Sequence, residues 1–301
     1  MRRLVNGILL LDKPPGITSN GALQRVKRLF SAKKAGHTGS LDPIATGMLP
    51  ICFGEATKFS QFLLDSDKSY QVVAQLGART NTGDIEGEII ETLPIVDVTL
   101  ARVKEVMTSF LGEIEQIPPM FSAIKVNGKP LYKLARSGIE IERQARKINI
   151  FSLTLDELAT DTLSFSVHCS KGTYVRTLVE DIGRMLGCGA HVKALRRDRV
   201  MPYDGFSMTS LSTLEAIAES EGLSGLDACL LPVETAVKKF PAVQLSTSAA
   251  FYLRMGQAVR SPFPLDSTFV RLMSEDARFL GMGEVMSDGR VKPNRLVSTR
   301  V

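Results

Sequence analysis

The chain has 301 residues, 44% of them hydrophobic, which is enough apolar material for a large domain and a smaller one. Its formal net charge of +5 suits a polyanionic partner. No apolar stretch reaches the about 20 residues that span a membrane, and the N-terminal apolar run is interrupted at Asn6-Gly7 and lacks a cleavage site. These features argue against a membrane or exported protein, so we expect a cytoplasmic protein with four reduced cysteines.

The first half of the chain alternates strand and helix patterns. An apolar run predicts a strand over residues 7–11, and Ser19 is the predicted N-cap of a helix over about 20–31. "SYQVVAQLGA" alternates apolar and polar residues and predicts a strand. "TNTGDIEGEII" then predicts a turn-rich hairpin, and residues 98–112 an amphipathic helix.

The second half shows the same alternation before its composition shifts. "LSFSVHCS" predicts a strand, and an apolar stripe predicts a helix that begins near Thr173. After residues 220–235 come a short helix closed by Gly256 and three short strands, the last two joined by an Asp288-Gly289 turn. The patterns together predict an α+β fold with antiparallel strands, flanking helices and a small β-rich appendage.

Basic residues concentrate between residues 125 and 147. This segment holds seven cations against two acids, an excess equal to the net charge of the whole chain. Charge runs are usually solvated surface, but this concentration favours contact with phosphates. We therefore interpret it as a basic arm whose candidate RNA-binding residues are Lys125, Lys129, Lys133, Arg136, Arg143, Arg146 and Lys147.

The familiar motifs of nucleotide, hydrolase and metal chemistry are absent from the sequence. Cys188 and His191 form a CxxH pair without a matching half, so we expect a structural role and neither a metal nor a cofactor. Carboxylate chemistry remains, and "GHTGSLDPIATGMLP" offers Asp42, which Pro43 holds in a restricted backbone. We expect the glycines of this loop, Gly36, Gly39 and Gly47, to admit a substrate closely.

A carboxylate that acts as a nucleophile needs a partner that keeps it ionised, ideally a guanidinium. Arg176 is the candidate partner, because it follows a glycine turn at the start of a predicted helix. From the pattern alone, Asp42 could equally be a turn residue and Arg176 a surface residue.

Five long segments, in the same order, resemble the TruB family of bacterial tRNA pseudouridine synthases. They are "LLLDKPPGITSN", the stretch from "GHTGSLDP" to "YQVVAQLG", "PPMFSAIKVNGKPLYKLARSGIEI", "CSKGTYVRTLVEDIG" and "LGCGAHVKALRR". The tail "FLGMGEV…GRVKPNRLV" resembles the family's PUA-like RNA-binding domain less sharply. The resemblance implies a catalytic domain over 1–235 on a mixed, mainly antiparallel sheet, an RNA-gripping insertion at about 120–147, and a PUA-like domain over 236–301.

The resemblance also implies a reaction, a substrate and a set of residue roles. The family isomerises uridine 55 in the T loop of tRNA without a cofactor, and its implied partner is the tRNA elbow, gripped by a monomer. Asp42 is the implied catalytic residue, paired with Arg176. The implied substrate-binding residues are His37, Tyr70, Tyr174, Arg176 and Leu195, and Lys13 and Pro14 are implied to support the catalytic loop.

Two other functions stay open at this point. A tRNA-folding chaperone would need the basic arm and the tail but not the Asp42, Tyr70 and Arg176 set. A glycosidase acting on the same bond would normally need a second carboxylate and an activated water, whereas the motif offers one acid.

Overall fold

We describe the protein from a computed structural model, which describes residues 2–261 and 266–298. The α-helices are α1 (Ser19–Leu29), α2 (Ser60–Leu64), α3 (Leu100–Thr108), α4 (Leu131–Arg136), α5 (Val175–Leu186), α6 (Leu211–Ser220), α7 (Gly222–Ala228) and α8 (Thr247–Arg254). Two 3-10 helices span Gly54–Phe59 and Val233–Val237. Within the described residues, no helix is both long and apolar enough to cross a membrane.

The strands alternate with these helices along the chain. They are β1 (Gly7–Lys13), β2 (Ala35–His37), β3 (Thr46–Phe53), β4 (Lys68–Leu76), β5 (Ala78–Thr80), β6 (Ile89–Thr92), β7 (Gly112–Gln116), β8 (Lys125–Val126), β9 (Lys129–Pro130), β10 (Arg146–Leu158), β11 (Thr162–Cys169), β12 (Ala190–Val200), β13 (Thr209–Ser210), β14 (Ala242–Gln244), β15 (Val259–Arg260), β16 (Phe269–Met273), β17 (Phe279–Val285) and β18 (Arg290–Leu296). All the strands and helices read from sequence patterns are therefore present.

Backbone contacts divide the chain into two compact units. The central unit comprises residues 42–48 and 66–200, and the terminal unit comprises the described residues of 1–41, 49–65 and 201–301. The central unit is discontinuous in sequence because the chain enters it twice, and the predicted division at residue 235 stays a prediction. Strand β3 begins in the central unit and continues into the terminal unit.

In the central unit, strands lie in the order β12-β4-β11-β10-β7 and pair antiparallel, while the start of β3 pairs parallel with β12. The alternation read in β4 and β11 is confirmed: Tyr70, Val72 and Phe165 are buried. Helix α5 presents a buried apolar stripe that includes Leu178 and Ile182. The mixed, mainly antiparallel sheet with flanking helices is confirmed.

The terminal unit contains strands from both ends of the chain. Its strands include β13-β1-β3, with β2 paired antiparallel to β3, and a five-stranded sheet in the order β14-β16-β17-β18-β15. The five-stranded sheet and α8 enclose a small core that includes Val243, Leu253 and Leu272. The β-rich C-terminal part is thus confirmed, while positions 262–265 and 299–301 of the predicted domain lie outside the described residues.

One predicted helix cap is wrong. Thr18, and not Ser19, is the N-cap of α1, because its side-chain oxygen accepts a hydrogen bond from the Gly21 N–H. The Ser19 hydroxyl is engaged elsewhere: it accepts from the Leu41 N–H at 2.7 Å and donates to the Leu41 carbonyl at 3.0 Å. Ser19 therefore fixes the backbone of the residue that precedes Asp42.

Candidate active site

The loop that carries Asp42 is held against β12 by its own backbone. The Ala45 N–H donates to the Asp42 carbonyl at 3.1 Å, and Gly47 pairs with Arg197 in parallel register. Arg197 is almost completely buried, and its Nε donates to the Met48 carbonyl at 2.8 Å. A short segment after Asp42 is thereby fixed on the sheet.

The sequence analysis expects Gly47 to let a substrate approach closely, but the protein's own backbone lies against it. Its φ is +97°, and a Cβ on it would lie 2.2 Å from the Arg197 carbonyl oxygen. The space that its missing side chain leaves is therefore filled by the protein's own backbone and not by a substrate. Gly36, in contrast, has no atom within 4 Å of a built Cβ.

Arg176, in the first turn of α5, contacts Asp42. Its Nε lies 2.9 Å from Asp42 Oδ2, while Nη1 donates to the Thr82 carbonyl at 2.8 Å and Nη2 to the Phe121 carbonyl at 2.7 Å. The Arg176 side chain is 8% exposed, whereas that of Asp42 is 39% exposed. A buried, fully engaged guanidinium thus supports a carboxylate that solvent or substrate can reach.

Asp84 is a site residue that the sequence reasoning missed. Its side chain is 5% exposed, and its Oδ2 lies 3.8 Å from Arg176 Nη1. Its other oxygen accepts from the Thr82 hydroxyl at 2.7 Å and from the Glu86 N–H at 3.1 Å. Arg176 therefore lies between two carboxylates, one exposed and one buried, and the buried one is occupied in shaping the turn that binds the guanidinium.

Asp84 also bears on the glycosidase alternative. It is a second carboxylate in the site, but its side chain is buried, with 5% exposure against 39% for Asp42. A carboxylate that activates water must reach that water. The signal in the sequence is the Thr-Gly-Asp turn of "TNTGDIEG", for which the pattern predicts only a hairpin.

Strand register places Tyr70 and Leu195 in the same region of the sheet. Tyr70 pairs with Arg197, and Leu195 pairs with Val72. Leu195 lines a cavity of about 290 Å³ together with Ile44, which is two residues from Asp42. Asp42, Tyr70 and Arg176 are not among the residues that line this cavity, so the role of Leu195 in a base pocket stays a prediction.

Burial is the main cause that raises the pKa of Tyr70 above its usual value. A hydrogen bond and Coulombic attraction from Arg197 act in the opposite direction, and Asp42 is close enough to add a further raising contribution. The phenol therefore stays protonated through neutral pH. This chemistry suits an aromatic surface for a base and disfavours a tyrosinate.

Tyr174 is clamped by an amide that the sequence reasoning also missed. Gln116, at the end of β7 and only 3% exposed, accepts from the Tyr174 N–H at 2.7 Å and donates to the Tyr174 carbonyl at 3.0 Å. Tyr174 is the N-cap position of α5, and burial raises the pKa of its phenol. The clamp fixes the backbone two residues before Arg176.

The other predicted site residues, Lys13, Pro14 and His37, belong to the terminal unit. Lys13 is fully buried, and its Nζ donates to the carbonyls of Pro14 at 2.9 Å and Ile17 at 2.7 Å. Lys13 therefore closes the Pro-Pro-Gly turn, which is a scaffold role. His37 is half-buried at the end of β2, in register with Ile51.

The predicted basic arm is a hairpin followed by a helix, and it is shorter than expected. Strands β8 and β9 and helix α4 form it, and Leu131 anchors it with 1% exposure. Arg146 and Lys147 lie instead on β10, where Lys147 pairs with Glu113 at 2.8 Å. Arg143 pairs with Glu140, so the exposed cations of the arm are Lys125, Lys129, Lys133 and Arg136.

The two residues of the CxxH pair, Cys188 and His191, have different surroundings. Cys188 is buried, and His191 Nδ1 lies 2.9 Å from the Ala78 carbonyl oxygen. Within the described residues, no group of three or more His, Cys, Asp or Glu side chains is arranged to hold a metal ion.

Comparisons with known proteins agree with this geometry. The N-terminal domain model of the TruB family of pseudouridylate synthases matches residues 27–175. The C-terminal domain model of tRNA pseudouridylate synthase B matches 176–238, and a pseudouridine synthase II TruB C-terminal model matches 241–297.

Bacterial relatives match this chain over nearly its whole length. The tRNA pseudouridine synthase B of Coxiella burnetii strain RSA 331 is 55% identical over 299 residues, covering 99% of this chain and 97% of its own. That of Ectopseudomonas mendocina is 52% identical over 299 residues, covering the same shares.

A solved structure shares the fold. A chain in the crystal structure of a Cbf5-Nop10-Gar1 complex is 26% identical, with a TM-score of 0.75, and the match covers 96% of this chain and 84% of that chain. These likenesses favour an enzyme over the chaperone alternative. With its matching domain models, its relatives over nearly full length and its Asp42–Arg176 pair, the chain belongs to the TruB family of pseudouridylate synthases.

Proposed function

We propose that this enzyme converts uridine 55 in the T loop of tRNA to pseudouridine, with Asp42 as the catalytic residue. The observation that carries the proposal is the exposed Asp42 carboxylate held 2.9 Å from the buried Arg176 Nε. The bacterial relatives at 52–55% identity, named tRNA pseudouridine synthase B, support tRNA as the substrate.

The reaction is an isomerisation, so no atom is gained or lost overall. The N1–C1′ bond breaks, the base turns, and C5 bonds to C1′. C5 then loses its proton and N1 gains one, so the number of hydrogens is unchanged. Asp42 starts each of three routes as a carboxylate: attack at C1′, attack at C6, or removal of a sugar proton. All three require an ionised, accessible oxygen, which a buried guanidinium stabilises through its charge and its hydrogen bond.

The target uridine must leave its stack before Asp42 reaches it. Flipping a base costs a few kcal/mol, and stacking on aromatic side chains together with phosphate contacts offsets that cost. In this proposal Tyr70 supplies the aromatic face, Tyr174 and Leu195 border the base, and His37 contacts the RNA. The exposed cations Lys125, Lys129, Lys133 and Arg136 of the insertion contact phosphates, together with Arg143, Arg146 and Lys147.

The domain roles follow from the same proposal. Residues 1–235 supply catalysis, and 236–301 form a PUA-like RNA-binding domain, supported by the separate core of the five-stranded sheet. We propose that the enzyme acts as a cytoplasmic monomer, because one chain is large enough to grip a tRNA elbow.

Product mapping tests the substrate assignment. We expect the protein to form pseudouridine at position 55 of an unmodified tRNA transcript, and none in a transcript with cytidine at that position. Chemical labelling of pseudouridine followed by primer extension reports the position. Formation at other uridines with position 55 unmodified would contradict the assignment.

A further inference from the structure

A second basic region lies outside the predicted arm. Between Lys13 and Leu41 the sequence contains six lysines and arginines and no aspartate or glutamate. The excess is larger than that of the arm, so the arm does not carry the whole surplus of the chain. The region includes the end of α1 and the start of β2, immediately before the motif loop.

The cations of this region form a compact set in the terminal unit. Lys27 and Arg28 lie in the last turn of α1, and Lys33 and Lys34 follow three and four residues after Phe30. Arg2 joins them, because its neighbour Arg3 forms a backbone bridge to Ala32. Arg2, Arg28, Lys33 and Lys34 are exposed and Lys27 is half-buried.

Backbone hydrogen bonds hold this surface in place. The Lys33 N–H donates to the Arg3 carbonyl at 2.9 Å, and the Lys34 carbonyl accepts from the Gly54 N–H at 3.0 Å. The lysine pair is therefore part of the folded surface.

Ion pairing does not account for these charges. Among the salt bridges of the described residues, Arg3 pairs with Asp227 and Arg25 with Glu215, whereas none involves Lys27, Arg28, Lys33 or Lys34. Cations in the last turn of a helix complement its dipole, which explains Lys27 and Arg28. It does not explain Lys33 and Lys34, which lie beyond the helix.

We propose that this surface, defined by Arg2, Lys27, Arg28, Lys33 and Lys34, binds the phosphate backbone of the RNA substrate. The inference rests on the proposed function, since Lys34 precedes His37 by three residues, about 10 Å along an extended strand. A strand of RNA that contacts His37 passes within reach of the lysine pair. Clustered, unpaired cations on a rigid surface are the typical footprint of phosphate binding.

The salt dependence of tRNA binding tests this surface. The slope of log K against log salt is negative, and each phosphate contact that is lost reduces its magnitude by about one. For an unmodified tRNA transcript, we expect Lys33→Gln/Lys34→Gln to reduce the magnitude of this slope by about two. Adding Lys27→Gln and Arg28→Gln to that variant should reduce the magnitude further. Thermal unfolding of each variant verifies that it is folded.

The matched control is Arg102→Gln/Lys104→Gln on α3. It removes the same charge from a helix to which no RNA contact is assigned. We expect its slope to equal that of the native protein. Equal slopes for the Lys33/Lys34 variant and this control would overturn the inference. Because binding is measured without turnover, a native protein that binds tRNA but does not isomerise it would contradict the proposed function alone.

Discussion

At the scale of single residues, the site depends on one guanidinium that makes three contacts shorter than 3 Å. Arg176 donates to two backbone carbonyls and pairs with Asp42, so the direction of its Nε is set by Thr82 and Phe121. The planar fork of arginine satisfies all three at once, and a lysine ammonium offers one compact charge on a flexible stem. A positive charge alone is therefore not enough at position 176 to make all three contacts.

We expect Arg176→Lys to lower the single-turnover rate of isomerisation by about 100-fold, the scale of a misplaced catalytic group. The remaining positive charge keeps some stabilisation of Asp42, but its direction is lost. The control is Arg184→Lys on the same helix, where the side chain is 65% exposed and pairs with Asp181. A full rate for Arg176→Lys would contradict the role of the fork.

The sequence pattern offered Asp42 and Arg176 as a candidate pair, and the family resemblance then implied their roles. By pattern alone, Asp42 could equally be a turn residue and Arg176 a surface residue. Asp84 and Gln116 were missed for a physical reason: each acts through a tertiary contact with a residue far along the chain, 92 and 58 positions away respectively. Turn and strand patterns describe only neighbours in sequence.

At the scale of elements, β12 sets the geometry of the Asp42 loop and of the strand face that carries Tyr70. Its register with β4 places Arg197 beside Tyr70, and its parallel pairing with β3 fixes Gly47. The periodicities of β4, β11 and α5 were sufficient to predict those elements. The pairing of β12 with the loop could not be predicted, because a parallel contact of two residues leaves no periodic signal.

Gly47→Ala tests the close approach of these backbones. At φ +97° a side chain is strained, and its Cβ would lie 2.2 Å from the Arg197 carbonyl oxygen. We expect a loss of about 2–4 kcal/mol in the free energy of unfolding, measured by urea denaturation.

Gly36→Ala is the matched control in the same motif, and because its built Cβ meets no atom within 4 Å we expect a change below about 0.5 kcal/mol. Equal stabilities of the two variants would refute the packing argument.

At the scale of the whole molecule, burial determines the chemistry of the four free cysteines. Cys52, Cys169 and Cys188 are buried, and Cys229 is half-buried. Burial raises the pKa of Cys52 to about 12 and that of Cys169 to about 11. Since the thiolate is the nucleophile, these thiols are unreactive in the folded state at neutral pH.

Alkylation with iodoacetamide at pH 7.5 tests this expectation. In the folded protein we expect Cys229 to be modified first and the three buried thiols to be protected, with all four modified after unfolding in urea. Peptide mass spectrometry identifies the sites. Stoichiometric modification of Cys52 in the folded protein would contradict the burial of β3.

The most direct test of the account follows tritium release from an unmodified tRNA transcript labelled at uridine C5, with native protein and with Asp42→Asn. Asparagine keeps the shape of the side chain but removes its charge. The account predicts release by the native protein, no detectable release by Asp42→Asn, and RNA affinities that differ by less than about tenfold. Release by Asp42→Asn at the native rate would contradict the central claim that Asp42 carries the reaction.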